Sequence, residues 1–372
     1  MTDPIERSAT SASRRSRPKS HSGCKTCKSR KIKCDERKPA CGNCTKRNVE
    51  CDFVASGPRC PPSRTSAFPD LNLEDLELLH NYTTRTCTTL SNSSVLRDFY
   101  RMTAVQLGLQ CDYIMRALLA VSSLQLAYYR PHAREHYQSL AMQHHQIASR
   151  AAIDLIEGAS ASTADNLFLF SVLTIFYTLG NRRRDNSILP VGESGFPNWM
   201  VLLRGTRALT AIMPTQADGP LTPLFKYGQD RWQMRETCRQ PASPVYQHLD
   251  RMRALITHRE TNEDHCRIYT KAIEGLHKSF LLCDSESGHS YDVTDVFLWA
   301  FEVVDDIVPL LSAPTQEAVA IFAFFCVLLK RLKSQWWLHG WVDHLIAWSC
   351  ALLDREHRLW IQWPLEEIGY VS

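Results

Sequence analysis

Six cysteines near the start of the chain stand at spacings suited to binding metal ions. The half-motif C-x2-C-x6-C occurs twice, and its members are Cys24, Cys27, Cys34, Cys41, Cys44 and Cys51. Two cysteines separated by two residues can direct two thiolates at one metal from a single tight turn. Two tetrahedral zinc ions need eight ligand positions, and six sulfurs fill them when two of the sulfurs bridge both ions. The spacing therefore predicts a two-zinc cluster.

Two other uses of these cysteines stay open from the residues alone. A single-zinc ribbon built on the two C-x-x-C pairs would leave Cys34 and Cys51 without a role, although both stand at matching offsets in the two halves. A redox C-x-x-C would need a surrounding βαβ pattern, and the sequence has none. We favour the two-zinc cluster because it uses all six thiols.

A run of cations lies between the second and third cysteines. Lys28, Arg30, Lys31 and Lys33 place four positive charges within six residues. A short helix held by metal can enter the major groove of DNA, where Lys or Arg meets O6 and N7 of guanine. Charge alone gives salt-sensitive, non-specific binding, whereas a rigid scaffold permits base reading. We therefore predict DNA contacts here; without the cysteines, the run would indicate a solvated face.

The segment GCKTCKSRKIKCDERKPACGNCTKRNVEC, residues 23–51, resembles the fungal zinc binuclear cluster domain. The resemblance implies that Cys24 and Cys41 bridge both metals. One zinc would then be held by Cys24, Cys27, Cys34 and Cys41. The other zinc would be held by Cys24, Cys41, Cys44 and Cys51. Pro39 matches the proline that turns the loop between the halves.

The same resemblance implies roles for the cations. Lys31 matches the base-contacting lysine at the end of the first short helix, with Arg30 beside it. Lys28 and Lys33 match phosphate contacts. The implied target is a CGG-like triplet in double-stranded DNA.

Charge is distributed unevenly along the 372 residues. Residues 1–60 carry 15 Lys and Arg against 6 Asp and Glu, whereas residues 61–372 carry 28 against 33. A basic head joined to a mildly acidic body indicates a polyanion-binding domain attached to a body with another task. The chain has 14 cysteines, and we find no secretion signal. We therefore expect metal ligands and free thiols rather than disulfides, in the nucleus or the cytosol, and the predicted DNA binding favours the nucleus.

Composition divides the chain into four parts. Residues 1–20, rich in Ser, Arg and Pro, are predicted to be a disordered basic tail. Residues 21–54 form the predicted two-zinc domain, with two short helices around two zinc ions. Residues 55–70 are predicted to form a proline-rich linker. Residues 71–372 are predicted to form a large all-α domain, and a family resemblance of this region implies a regulatory, ligand-responsive role.

The prediction of an all-α body rests on apolar positions that recur three and four residues apart. We find no convincing alternating strand. The longest uninterrupted apolar run, residues 318–329, has 12 residues and is too short to span a membrane. Candidate helices are residues 167–179, 199–213, 245–258, 263–282, 294–311, 316–333 and 339–357.

Segments of the body resemble the regulatory region of sterol uptake control protein-type zinc cluster factors. They are LEDLELLHNYTTRTCTTLS from Leu73, ALLAVSSLQLAYYRP from Ala117, LLRGTRAL from Leu202 and QWWLHGWVDHL from Gln335. The resemblance implies a helical module that binds a sterol or another lipid, although many similar proteins control secondary-metabolite clusters. Six tryptophans near the end could line such a pocket or form ordinary core; they are Trp336, Trp337, Trp341, Trp348, Trp360 and Trp363.

These features together predict a sequence-specific transcription factor of the fungal type that acts with RNA polymerase II. We expect an activator of sterol, lipid or secondary-metabolite genes, with coactivators as partners and either a homodimer or a monomer on DNA. An enzyme is not expected, since common catalytic motifs are absent and zinc held only by thiolates is structural. The alternative is a lipid- or sterol-sensing regulator whose cluster serves mainly protein interaction.

Overall fold

The computed structural model describes residues 22–37, 40–47, 49, 51–53, 72–156, 161–181, 198–213, 219–238, 244–284 and 291–370. The chain divides into two compact units, Met1–Leu71 and Asn72–Ser372. Every regular element among the described residues is a helix. The predicted fold class, a small cysteine cluster with two short helices followed by a large helical body, is confirmed.

The first unit contains α1 (Lys25–Ser29) and α2 (Gly42–Lys46). The first helices of the second unit are α3 (Leu73–Thr84), α4 (Ser94–Asp98), α5 (Ala104–Gln110), α6 (Asp112–Tyr129), α7 (Arg134–Ile156), α8 (Ala161–Gly180) and α9 (Asn198–Thr210). They are followed by α10 (Thr222–Thr237), α11 (Pro244–Arg259), α12 (Glu263–Asp284), α13 (Val293–Ser312), α14 (Gln316–Lys330), α15 (Trp341–Leu352), α16 (Arg355–Trp360) and α17 (Gln362–Ile368). A π-helical turn, Phe99–Thr103, joins α4 to α5.

The centre of the body is α14, an apolar helix surrounded by its neighbours. Residues 318–329 are all buried, as the apolar run predicted. Trp299 of α13 stacks on Phe325 at a centroid distance of 4.6 Å, and its indole N–H donates to the Ala272 carbonyl at 2.8 Å. Each large apolar side chain buried in this way contributes about 1.5–3 kcal/mol of transfer free energy. The run therefore stabilises the body from within.

One described helix, α8, is apolar and long enough over Thr163–Gly180 to meet the length and composition of a membrane span. Just over half of that window, 56%, is buried inside the body, and Leu169 and Leu173 are fully enclosed. A core helix meets the same criteria. The helix is therefore weak support for a membrane span.

The predicted helix boundaries hold for most of the body, with one clear error. The segment 339–357 was predicted as one helix, but α15 ends at Leu352. A new helix begins because the Asp354 carboxylate accepts a hydrogen bond from the His357 backbone N–H at 2.8 Å. An aspartate at this position caps a new helix start.

Helix α10 is held to the body by buried charges, and we did not predict it from the sequence. Arg231 makes a two-point ion pair with Asp295 of α13, at 2.5 and 2.6 Å. Arg235, which is fully buried, donates to Glu302 of α13 at 2.5 Å and to the Gly275 carbonyl of α12 at 2.8 Å. Apolar periodicity misses such a helix because its inward face carries guanidinium groups.

Gly180, the last residue of α8, allows close approach of Trp336. A Cβ atom at this position would lie 2.9 Å from Cζ3 of the buried Trp336 ring. That ring is held by a hydrogen bond from its N–H to the Thr89 hydroxyl at 2.9 Å. We expect Gly180→Ala to lower the free energy of unfolding by about 1–3 kcal/mol, measured by urea denaturation.

A matched control for Gly180→Ala is available in α9. No atom lies within 4 Å of a Cβ built on Gly205, so Gly205→Ala should raise the free energy of unfolding by up to about 1 kcal/mol through helix propensity. Equal effects at the two glycines would contradict the packing argument.

The half-buried ring of His145 is expected to make the body sensitive to acid. It lies parallel to the Tyr177 ring at a centroid distance of 3.7 Å, and burial lowers the pKa of His145 to about 4. An unfolded histidine has a pKa of about 6.5. The stability from this group is therefore fully present above that pH and is lost as pH falls toward 4. Between pH 7 and 5 the loss is about 2 kcal/mol.

Replacing His145 with phenylalanine keeps the stacked ring and removes its titration. Urea unfolding of His145→Phe should therefore show a weaker loss of stability between pH 7 and 5 than the parent protein, by about 2 kcal/mol. The control is His258→Phe, at an exposed position in α11, which should follow the parent protein. A parallel pH dependence in His145→Phe would show that this ring does not cause the acid sensitivity.

Candidate metal centre and DNA-contacting surface

The cysteine unit is built from two halves that repeat the same hydrogen bonds. Cys24 precedes α1, and its sulfur accepts from the Cys27 backbone N–H at 3.3 Å. Cys41 precedes α2, and its sulfur accepts from the Cys44 N–H at 3.4 Å. Each half thus aims two sulfurs inward from the first turn of a short helix, as the C-x-x-C spacing predicts.

The third cysteine of each half accepts a hydrogen bond from the backbone of the first cysteine of that half. The Cys34 sulfur accepts from the Cys24 N–H at 3.5 Å, and the Cys51 sulfur accepts from the Cys41 N–H at 3.4 Å. N–H groups directed at sulfur favour the thiolate form, which is the form that binds metal. Both halves therefore present three sulfurs to a common interior.

An aspartate directly after the third cysteine of each half joins the two halves. The Asp35 carboxylate accepts from the Gly42 N–H at the start of α2, at 3.0 Å, and Asp52 accepts from the Lys25 N–H at the start of α1, at 2.9 Å. A carboxylate at a helix start satisfies N–H groups that have no partner within the helix. The metal-ligand spacing does not predict this pair, although the Cys-Asp dipeptide occurs in both halves.

The six sulfurs form two groups of four with two members in common. In each group all sulfurs lie within 4.8 Å of one another; the groups are Cys24, Cys27, Cys34 and Cys41, and Cys24, Cys41, Cys44 and Cys51. Measured separations are 3.6 Å for Cys24 to Cys41 and 3.8 Å for Cys24 to Cys44. Zinc–sulfur bonds of about 2.3 Å place tetrahedral ligands about 3.8 Å apart. The sulfurs therefore fit two zinc ions.

Without metal, the clustered thiols compete for protons. Burial and the neighbouring thiols raise the pKa of Cys44 to about 12. Burial acts in the same direction on Cys41, but hydrogen bonds from the Cys44 backbone and the neighbouring thiols lower the pKa of Cys41 to about 6. Zinc binding displaces the remaining protons and fixes the domain, because a bound metal replaces the core that a unit this small lacks.

The predicted DNA contacts lie exposed at the carboxyl end of α1 and just beyond it. Lys31 adopts a left-handed backbone conformation, with φ of 55°. The Lys31 N–H donates to the Lys28 carbonyl at 3.1 Å, and the Ile32 N–H donates to the Cys27 carbonyl at 3.1 Å. These two bonds form the helix ending in which glycine is usual. A lysine here keeps a long cationic side chain at the cost of backbone strain.

The remaining predicted site residues are placed as follows. Lys28 lies within α1, whereas Arg30 and Lys33 flank the left-handed turn, and all three are exposed. Pro39 lies outside the described residues. The structure thus brings the six cysteines together and places the four cations in succession along one exposed segment.

The helical body contains a separate cavity of about 1110 Å³ between α8, α9, α10 and α13. The C-terminal tryptophans that we considered as pocket residues do not line it. Trp336, Trp337 and Trp341 are buried in the core, while Trp360 and Trp363 border a smaller groove of about 410 Å³. Trp232 of α10 lines the large cavity.

Two protein families match the chain. Residues 22–59 match the fungal Zn(2)-Cys(6) binuclear cluster domain. Residues 77–285, more than half of the chain, match the fungal specific transcription factor domain. Neither family describes an enzyme, in agreement with the closed, all-sulfur metal site. The prediction that the chain is not an enzyme is confirmed, as are the two zinc ions.

The following relatives match between 13% and 95% of this chain. A Zn(2)-C6 fungal-type transcription factor of Gibberella zeae is 23% identical over 429 residues, covering 95% of this chain and 86% of the relative. A similarly named factor of Aspergillus fumigatus is 25% identical over 231 residues, covering 56% of this chain and 58% of the relative. Sterol uptake control protein 2 of Candida albicans is 46% identical over 50 residues, covering 13% of this chain and 7% of that protein. With a two-zinc sulfur cluster and both domains of the family in order, this chain belongs to the fungal Zn(2)-Cys(6) transcription factors, which bind DNA in a sequence-specific manner.

Proposed function

We propose that this protein acts with RNA polymerase II as an activator that reads CGG-like triplets through α1 and the turn after it. The observation that carries the proposal is Lys31, a lysine in a left-handed turn where glycine would be less strained. A side chain retained there against backbone strain indicates a role beyond folding.

The proposed roles follow from this placement. Cys24 and Cys41 bridge both zinc ions, since they are the two sulfurs common to both groups of four. Lys31 contacts bases in the major groove, with Arg30 beside it, while Lys28 and Lys33 contact phosphates. Pro39 turns the loop between the halves. The body, residues 71–372, acts as the regulatory domain, joined to the cluster by the linker 55–70.

We further propose a nuclear protein whose body responds to a small hydrophobic ligand, a sterol or another lipid in the first instance. The large cavity offers such a ligand room, because drug-sized sites usually measure about 300–1,000 Å³. Homodimerisation and coactivator binding belong to the same proposal. The controlled genes would serve sterol, lipid or secondary metabolism; the match to the Candida sterol uptake control protein covers only 50 residues, so it supports the DNA-binding part more than the pathway.

Selection from a random DNA library with the full zinc-loaded chain at physiological salt tests the proposal. We expect enrichment of a CGG-like triplet, with binding abolished by a zinc chelator. The alternative, a lipid- or sterol-sensing regulator whose cluster serves mainly protein interaction, predicts no enriched sequence from the same preparation. A weak, salt-sensitive affinity equal for all sequences would therefore count against the proposed function.

A further inference from the structure

We propose that the cavity between α8, α9, α10 and α13 binds a planar aromatic small molecule that carries a polar substituent. This inference rests on the proposed ligand-responsive role of the body, and for this cavity it replaces the sterol or other lipid with a planar aromatic ligand. It follows from three features of the cavity: an aromatic lining, rings that contact arginine side chains, and a polar rim.

The lining contains several aromatic rings. Five of the lining side chains are aromatic, and they are Phe168, Phe225, Trp232, Phe297 and Phe301. Phe168 of α8 and Phe225 of α10 meet across the cavity wall at a centroid distance of 4.9 Å. Rings in such a site can offer both faces and edges to a flat π system, which gains about 0.5–1.5 kcal/mol per ring pair beyond area burial.

The Trp232 ring is held by a buried guanidinium. The Arg235 guanidinium carbon lies 5.0 Å from the Trp232 ring centroid, and Arg235 is fixed by Glu302 and the Gly275 carbonyl. A Cβ on Gly275 would lie 2.8 Å from the Glu302 carboxylate, so the ion pair packs closely against this glycine. The buried ion pair therefore orients a cavity ring before any ligand arrives, which lowers the entropy cost of binding.

The Phe301 ring of α13 is held by a partly buried guanidinium. The Arg207 guanidinium of α9 lies 5.7 Å from the Phe301 ring centroid and donates to the Phe301 carbonyl at 2.5 Å. Arg207 also pairs with Asp305 at 3.2 Å. Trp232 and Phe301, which both line the cavity, are thus each held by a contact with an arginine side chain.

The floor of the cavity is apolar and its rim is polar. Leu203, Leu221 and Leu298 are buried. Around the opening lie the exposed side chains Lys226, Gln229, Asp230 and Gln233 of α10. This arrangement suits a rigid apolar body with a hydrogen-bonding group directed toward solvent. A long alkyl chain would lose more conformational freedom on binding and would gain no ring contacts.

The test uses the full chain and the uncharged naphthalene dye prodan, with emission followed during titration. Gly228 of α10 lines the cavity, and no atom lies within 4 Å of a Cβ built on it. Gly228→Trp should therefore fill the cavity and weaken dye binding at least about tenfold. The matched control is Gly205→Trp in α9, at a glycine that does not line the cavity and where a built Cβ also meets no atom within 4 Å.

We expect saturable binding of one dye per chain, displaced by 1-naphthol but not by oleate or ergosterol at equal concentration. Unchanged binding in Gly228→Trp, equal weakening in Gly205→Trp, absence of saturable binding, or equal displacement by oleate or ergosterol would each overturn the inference. Zinc-dependent DNA selection is measured on the same preparations. If the DNA selection enriches a sequence but the dye titration fails, only the cavity inference is refuted. If the DNA selection enriches no sequence, the proposed function is refuted whatever the dye titration shows.

Discussion

Cys41→Ala is expected to remove both zinc ions and abolish sequence-specific DNA binding. The Cys41 sulfur belongs to both groups of four, and it lies 3.6 Å from the sulfurs of both Cys24 and Cys27. Losing it leaves each zinc with three protein ligands and exposes the small domain to unfolding, since structural zinc supplies about 10–16 kcal/mol in such domains. DNA affinity should fall to the non-specific level, about 10³-fold or more. Metal analysis and fluorescence anisotropy measure the two effects.

Cysteines that belong to one group provide an internal comparison. Cys27→Ala and Cys51→Ala each remove a ligand from a single group, so these proteins should retain about one zinc per chain. Cys350→Ala, in the helical body, should retain about two. The bridging assignment fails if Cys41→Ala keeps as much zinc as Cys27→Ala.

Lys31→Gly is expected to separate DNA binding from folding. Glycine adopts a φ of 55° without the strain that lysine bears there, so the zinc-loaded domain should become more stable by up to about 1–2 kcal/mol. The same change removes the proposed base-reading side chain and should cost about 1–3 kcal/mol of binding to the selected sequence. Thermal unfolding and anisotropy titrations on one preparation would show stability and affinity moving in opposite directions.

Glu36 offers a matched control for this substitution. It also has a left-handed backbone, with φ of 54°, and it lies in the same unit, so Glu36→Gly relieves comparable strain without removing a cation. We expect Glu36→Gly to preserve or increase DNA affinity. If Lys31→Gly bound the selected DNA as tightly as Glu36→Gly, Lys31 would not be the residue that reads bases.

Helix α10 is an element that the pattern of apolar residues in the sequence does not predict. Its inward positions include Arg231 and Arg235, whose partners Asp295 and Glu302 lie more than sixty residues away. A pattern of apolar residues cannot reveal a helix whose packing depends on distant carboxylates. The cost of burying each guanidinium is offset only when those partners are in place.

The role of the tryptophans near the end of the chain also depends on the tertiary structure. The spacing of these tryptophans is compatible with lining a pocket or with packing in a core. Their burial distinguishes between these two roles. The indole N–H groups of Trp337 and Trp341 donate to the carbonyls of Thr89 and Leu179, at 3.0 and 2.7 Å. These bonds tie the C-terminal segment to the start of the body at Thr89 and to the end of α8 at Leu179, so the rings serve packing.

By itself, the sequence determined the two-zinc cluster, the cations beside it and the helical class of the body. Ligand spacing within 28 residues sets the geometry of the cluster, because each half is a local turn and a short helix closed on a metal. The cavity and its aromatic lining were decided by tertiary structure alone. They require residues from α8, α9, α10 and α13 to meet, and the charges that orient Trp232 and Phe301 act only once those helices have packed.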